Sequence, residues 1–267
     1  MKSFEFHSPE TVPDAFALLN DVSESKLLAG GMTLLPTIKQ GLAEPAALID
    51  LGKIPQLSTI AVDGDALVIG AMVRHVTVAT SEIVRSKVPM LAHLAAGIGD
   101  PAVRNRGTIG GSVANNDPSA DYPAAVLALD AIVVTNRREL PAGAFFTGMF
   151  ETSLETNEII TSIRFPIPSA AGYAKFKSPA SRYAMVGVCV AKAGGKVCVA
   201  VTGAGPCVFR VPAMESALEA RFEPGAAASI KINAAGLNSD IHADAEYRAH
   251  LVTVMAKKAV AAATQGL

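Results

Sequence analysis

Two pairs of adjacent glycines mark where this chain could do chemistry: Gly30-Gly31 in "LLAGGMTLLPTIKQG" and Gly110-Gly111 in "NRGTIGGSVANNDPSADYPAAVLALDA". Without Cβ atoms, the backbone can be approached closely and can adopt unusual φ. The first pair precedes a helical pattern from Thr33 to Gln40. Pro36 falls in its first turn, where a missing N–H removes no helical bond. A first helical turn carries unpaired N–H groups and a partial positive charge. Strand, glycine turn and helix N-terminus together make a cradle for phosphate. Taken alone, the segment is equally served by an ordinary tight turn, since it is neither G-x-G-x-x-G nor a P-loop.

The second pair is ringed by Thr108, Ser112, Asn115 and Asn116, which places dense hydrogen-bonding capacity beside bare backbone. Asp121 directly precedes "YPAAVLAL", so it could cap a helix. A carboxylate would repel phosphate but accept well from sugar or polyol hydroxyls. Two glycine cradles and an acid fit a dinucleotide, with the pyrophosphate between the loops and hydroxyls on the acid.

Other chemistries find less support. The 267 residues are half hydrophobic and carry a formal net charge of −1, which gives a globular chain without the clustered basic surface of a nucleic-acid binder. No apolar run is long enough to span a membrane, and "MKSFEFHSPETVPDA" lacks the apolar stretch of a secretory signal, so a cytoplasmic protein is expected. Cys189, Cys198 and Cys207 form no C-x-x-C pair and are expected as small buried hydrophobes. His7, His75, His93, His242 and His250 are scattered, so no metal site or iron–sulfur motif is expected in this chain.

Elements must position these loops. "SPETVPDAFALLNDV" reads as a capped helix opened by Pro13 and Asp14, "KLLAG" as a buried strand, and "AALIDL" as another. Residues 1–53 therefore read as a small α/β unit. In 54–168, Asp63-Gly64 signals a hairpin, "TVATSEIVRS" and "VPMLAHLAAGIG" have helical spacing, "AVLALDAIVVTN" is a helix end feeding a strand, and "EIITSIRFPIP" is a strand closed by prolines. In 169–267, two strands flank Gly194-Gly195, with helices over Ala213–Ala220 and Glu246–Ala263. The class is α+β.

"AGGMTLLP" and "NRGTIGGSVANNDPSADYP" resemble the two signature loops of the FAD-binding medium subunit of molybdenum hydroxylases, the carbon monoxide dehydrogenase and xanthine dehydrogenase family. "KFKSPASRYAMVGVCVA", "VAVTGAGPCVFR" and "SDIHADAEYRAHL" are similar to that family's C-terminal domain, so the resemblance covers essentially the whole chain. It implies two α/β subdomains of the PCMH/VAO type clasping FAD, then a domain with a three-stranded antiparallel sheet and helices. It also implies site residues. Ala29, Gly30, Gly31, Met32 and Thr33, flanked by Leu28 and Leu34, would give backbone contacts to FAD phosphates. Thr108, Ile109, Gly110, Gly111 and Ser112 would do the same from the second loop, with Asn115 beside them. Asp121 would meet an FAD hydroxyl, Ile160 would pack on the flavin or adenine region, and Lys177 and Tyr183 would border the isoalloxazine ring. Met32-Thr33 and Ser112 depart from commoner residues in the family, but both changes keep the backbone cradle.

The resemblance further implies partners: a large subunit with the molybdenum cofactor and a small subunit with two [2Fe–2S] clusters, assembled as a dimer of heterotrimers. FAD in this chain would pass their electrons to an outside acceptor, so no catalytic acid–base pair is expected here. The carbon monoxide dehydrogenase-like branch fits best, with purine, aldehyde and N-heterocycle dehydrogenases as alternatives. An NAD-dependent Rossmann enzyme would want G-x-G-x-x-G with an acid about 20 residues on, which Gly30-Gly31 lacks. A cell-wall-precursor reductase shares the broader FAD fold but not this C-terminal region. An assembly subunit that has lost FAD would not need intact glycines.

Overall fold

A computed structural model describes residues 3–265. The chain begins with three parallel strands, β1 (Glu5–His7), β2 (Ser25–Leu28) and β3 (Ala47–Asp50), in the order β1-β3-β2. Helix α1 (Val12–Asp21) joins β1 to β2 and α2 (Leu34–Lys39) joins β2 to β3. Thr11 caps α1 by accepting from the Asp14 N–H, and Pro13 lies in the first turn. Gly41, at φ +73°, ends α2 as expected.

The second sheet is antiparallel, in the order β4-β5-β10-β6-β7, from β4 (Ile60–Asp63), β5 (Ala66–Gly70), β6 (Ile132–Thr135), β7 (Glu139–Pro141) and β10 (Ile160–Pro166). Asp63 pairs with Ala66, so the hairpin turns on Gly64-Asp65 rather than Asp63-Gly64, and of these two Gly64 alone takes positive φ. Between β5 and β6 the chain packs six short helices: α3 (His75–Thr80), α4 (Glu82–Lys87), α5 (Pro89–Ala96), α6 (Pro101–Arg106), α7 (Ile109–Asn115) and α8 (Tyr122–Ala128). Capping side chains at Ser81, Asp100 and Thr108 start three of them. After β7, α9 (Ala142–Phe145) leads into a small hairpin of β8 (Phe146–Gly148) and β9 (Glu151–Thr152).

The third sheet has four antiparallel strands, not three: β11 (Ala170–Lys177), β12 (Ala184–Ala193), β13 (Lys196–Thr202) and a two-residue edge, β14 (Phe209–Arg210). Gly194 and Gly195 both take positive φ, which a two-residue turn matched to the strand twist requires. The period of two splits β12 between cores. Val186, Val188 and Val190 face α10 (Pro212–Ala220), α11 (Pro224–Ala228) and α12 (Ala245–Gln265), while Cys189 and Ala191 join the core of the second sheet. Gly172 lets α12 lie directly on β11, because a Cβ there would collide with the Ala259 carbonyl. Cys189 is buried as expected, whereas Cys198 and Cys207 are half-buried; all three are free thiols.

Candidate functional site

The two glycine segments meet. A Cβ on Gly30 would run into the carbonyl of Arg106 and lie 2.7 Å from the Gly107 Cα. A Cβ on Gly111 would approach that of Ala29 to 3.3 Å. Gly110 packs on Ala71, where an added Cβ would come within 2.5 Å, and Gly31 holds φ +72°. The glycines thus remove side chains chiefly where one segment touches another, not merely where a ligand needs bare backbone.

Local pairing explains the second segment. Ile109 N–H donates to Val73 O at 3.0 Å, Gly110 N–H to Ala71 O at 2.9 Å, and His75 N–H to Gly107 O at 3.0 Å. Residues 107–110 are therefore stitched to the stretch that leaves β5. Gly110 and Gly111 lie inside α7 rather than in a loop, and Thr108 caps that helix by accepting from the Gly111 N–H at 3.1 Å. Ser112 N–H donates to Thr108 O. The N–H groups of Ile109, Gly110, Gly111 and Ser112 are thus committed within the chain.

The first segment differs. Among the described residues, no acceptor meets the N–H groups of Gly31, Met32, Thr33 or Leu34, and Thr33 makes no side-chain cap. These four donors border a cleft of about 760 Å³. Ala29, Gly30, Gly31, Met32, Thr33 and Leu34 line it on one side, and Thr108, Gly110, Gly111, Ser112 and Asn115 on another. Asp121, Ile160 and Tyr183 also reach it. Leu28 and Ile109 are instead buried behind the walls, and Lys177 stands exposed at the end of β11, away from the cleft lining.

Two hydrogen bonds bridge elements around the cleft. Asn157 Nδ2 donates to Asn20 Oδ1 at 2.7 Å, from a backbone at φ +68°, and Arg182 Nη1 donates to Gly99 O at 3.4 Å. The wall from Leu154 to Ile160 is braced by Glu158, whose carboxylate takes a paired contact from Arg138 at 2.9 Å and bonds from Thr135 Oγ1 and the Glu155 N–H. Those bonds, with Arg138 foremost, hold the Glu158 carboxyl down at about 2.

Asp121 does not cap α8. It is buried, and its carboxylate receives Tyr173 Oη at 2.5 Å and Lys175 Nζ at 2.8 Å. Burial raises its pKa, and the Lys175 charge and the bonds from Lys175 and Tyr173 oppose that rise. His75 also borders the cleft; burial, reinforced by the Arg104 guanidinium, lowers it to about 4, so the ring is neutral near pH 7. Its Nδ1 and the hydroxyl of Tyr122, whose rings lie 5.4 Å apart, have no hydrogen-bond partner among the described residues.

His75, Tyr173, Lys175 and the 154–159 wall are absent from the residues singled out in sequence. The spacing of Tyr173 and Lys175 on a strand, which puts both on one face, was the available signal for that pair. Among the described residues no cluster of His, Cys, Asp or Glu could hold a metal ion, and no helix is long and apolar enough to cross a membrane. Four free N–H donors in a half-open cleft suit an anionic diphosphate group, and a neighbouring carboxylate suits hydroxyls, so the residues present fit a dinucleotide.

Comparison with known proteins agrees. Residues 2–168 match the family described as "FAD binding domain in molybdopterin dehydrogenase". The chain is 38% identical to the medium chain of carbon monoxide dehydrogenase from Hydrogenophaga pseudoflava, over 97% of this chain and 96% of that protein. It is 36% identical to the nicotine 6-hydroxylase medium subunit of Paenarthrobacter nicotinovorans, over 97% of each. A solved structure of Hydrogenophaga pseudoflava carbon monoxide dehydrogenase superposes with a TM-score of 0.87 at 37% identity, covering 99% of this chain and 98% of that one. The chain belongs to the family of FAD-binding domains of molybdopterin dehydrogenases.

Proposed function

We propose that this chain is the FAD-binding, electron-transfer subunit of a molybdenum hydroxylase complex, most like the carbon monoxide dehydrogenase medium chain. The observation that carries the reading is the run of N–H groups from Gly31 to Leu34, unpaired among the described residues, in the stretch that lines the cleft between the glycine segments. These donors would hold the FAD diphosphate, with the hydroxyl of Ser112 nearby. Asp121 would accept from an FAD hydroxyl, Ile160 would pack on the cofactor, and Tyr183 would stand at the ring. Lys177 would act from the exposed end of β11, beside the 178–183 stretch rather than from the cleft wall. FAD, when bound, accepts electrons and passes them singly or in pairs. The chain's own part is to bind, orient and shield.

We read the chain as three domains, 1–53 and 54–168 as PCMH/VAO-type FAD-binding subdomains and 169–267 as an α+β domain. The separate sheets support that division. The relatives are named as medium chains, which supports a small partner with [2Fe–2S] clusters supplying electrons and a large partner with the molybdenum cofactor oxidising substrate. A cytoplasmic dimer of heterotrimers is the assembly we infer. Relatives named for carbon monoxide and for nicotine resemble this chain almost equally well, which supports substrate choice residing in the large partner.

The experiment is to purify the chain with its natural partners, record the visible spectrum, and follow flavin bleaching across a substrate panel. A flavin band alongside iron–sulfur features, bleached by a substrate, supports the reading. A colourless chain that takes up no FAD contradicts it.

A further inference from the structure

We propose that Tyr173 and Lys175 are positioning residues for the cofactor: from the C-terminal sheet they set the orientation of the Asp121 carboxylate at the cleft, so the grip on FAD depends on a strand outside both glycine segments. The inference rests on the reading of the cleft as an FAD site.

Tyr173 and Lys175 are two apart on β11 and share a face. Tyr173 Oη donates to Asp121 Oδ1 at 2.5 Å, and Lys175 Nζ lies 2.8 Å from Oδ1 and 3.0 Å from Oδ2. Both carboxylate oxygens are thus steered from the far sheet. All three groups are almost wholly buried, with the side chains of Lys175 and Asp121 9% and 4% exposed. On the neighbouring strand, Gly187 makes room for the phenol, since a Cβ there would come within 2.5 Å of Tyr173 Oη. Lys175 Nζ also donates to Arg182 O at 3.0 Å, so one ammonium ties Asp121 to the main chain of the 181–183 stretch that lines the cleft.

Helix capping does not explain this carboxylate, because Asp121 makes no cap bond. Stability explains it poorly, since buried ion pairs can commonly be replaced by apolar side chains without loss. Asp121 reaches the cleft and its two partners do not, so what they govern is the direction of its oxygens.

The test is FAD affinity and flavin midpoint potential of the full chain in a double-mutant cycle. Y173F and D121N are each expected to weaken FAD binding about tenfold, the scale of one hydrogen bond to a charged group. Y173F/D121N is expected to bind no more weakly than D121N alone, because the phenol acts through the carboxylate. K175M leaves that carboxylate without its cation, so at a pH high enough to keep the buried acid ionised the potential of the bound flavin moves lower, and D121N/K175M returns it toward the wild-type value. A merely structural role would lower thermal stability without this coupling or this return. Wild-type affinity in Y173F, or losses that add in the double variant, would overturn the inference. Should Y173F fail to fold, the potentials of K175M and of the charge-free D121N/K175M pair decide it. If the wild-type chain binds no FAD, the reading of the cleft falls, and this inference with it.

Discussion

Gly30 and Arg106 are in backbone contact: a Cβ on the glycine would occupy the space of the arginine's carbonyl oxygen. The obstacle is main chain, which cannot swing aside as a side-chain tip can. Gly30→Ala is therefore expected to push the two segments apart, to destabilise the chain by about 1–3 kcal/mol, and to abolish flavin retention. Thermal melting and the flavin-to-protein ratio check this. An alanine variant that stays yellow with an unchanged melting temperature would mean the contact is not what shapes the cleft.

Thr108 caps the helix that carries Gly110 and Gly111, and little of its surface is open to water. Thr108→Val keeps the shape but leaves the Gly111 N–H without its acceptor. A loss of about 1 kcal/mol is expected. Thr108→Ser should restore most of it, measured by denaturant unfolding.

Acid should unfold the chain in two stages. His75 is held at about 4 against an ordinary 6.5, so the unfolded chain takes up its proton first. The stability associated with neutral His75 is present above about 6.5 and is lost as pH falls toward 4. Glu158 is held at about 2 against an ordinary 4.5, and its contribution is lost as pH falls from 4.5 toward 2. His75→Gln is expected to flatten the upper stage and Glu158→Gln the lower one. Each would change stability by about 1–2 kcal/mol, the Glu158 figure being moderated by the half-exposed Arg138. Unfolding free energy measured between pH 3 and 8 separates the two.

Local signals were legible where local rules decide. The Gly194-Gly195 hairpin and Gly41 at the end of α2 follow from φ alone, and the structure has both as expected; the helix read as opened by Pro13 and Asp14 starts instead at Val12, with Thr11 as its cap. The hairpin at Asp63 shifted by one residue because Gly64 takes the first central position, which leaves Asp65 at the second. The helical stretch after Arg74 broke into short helices because Ser81 and Pro89 each restart it. The glycine segments pointed to the cleft, but not to the fact that Gly110 and Gly111 lie within a helix whose N–H groups are already used. What stayed invisible is the long-range part. Tyr173 and Lys175 lie 52 and 54 residues from Asp121 in sequence, and no periodicity links a strand in one sheet to a helix start in another.

The central claim is that FAD lies in the cleft with its diphosphate on the Gly31–Leu34 main chain. A crystal structure of the FAD-loaded protein tests it directly. Diphosphate oxygens within hydrogen-bonding distance of those four N–H groups are the predicted result. FAD bound with its diphosphate elsewhere, or those four groups satisfied by protein atoms instead, would contradict the account.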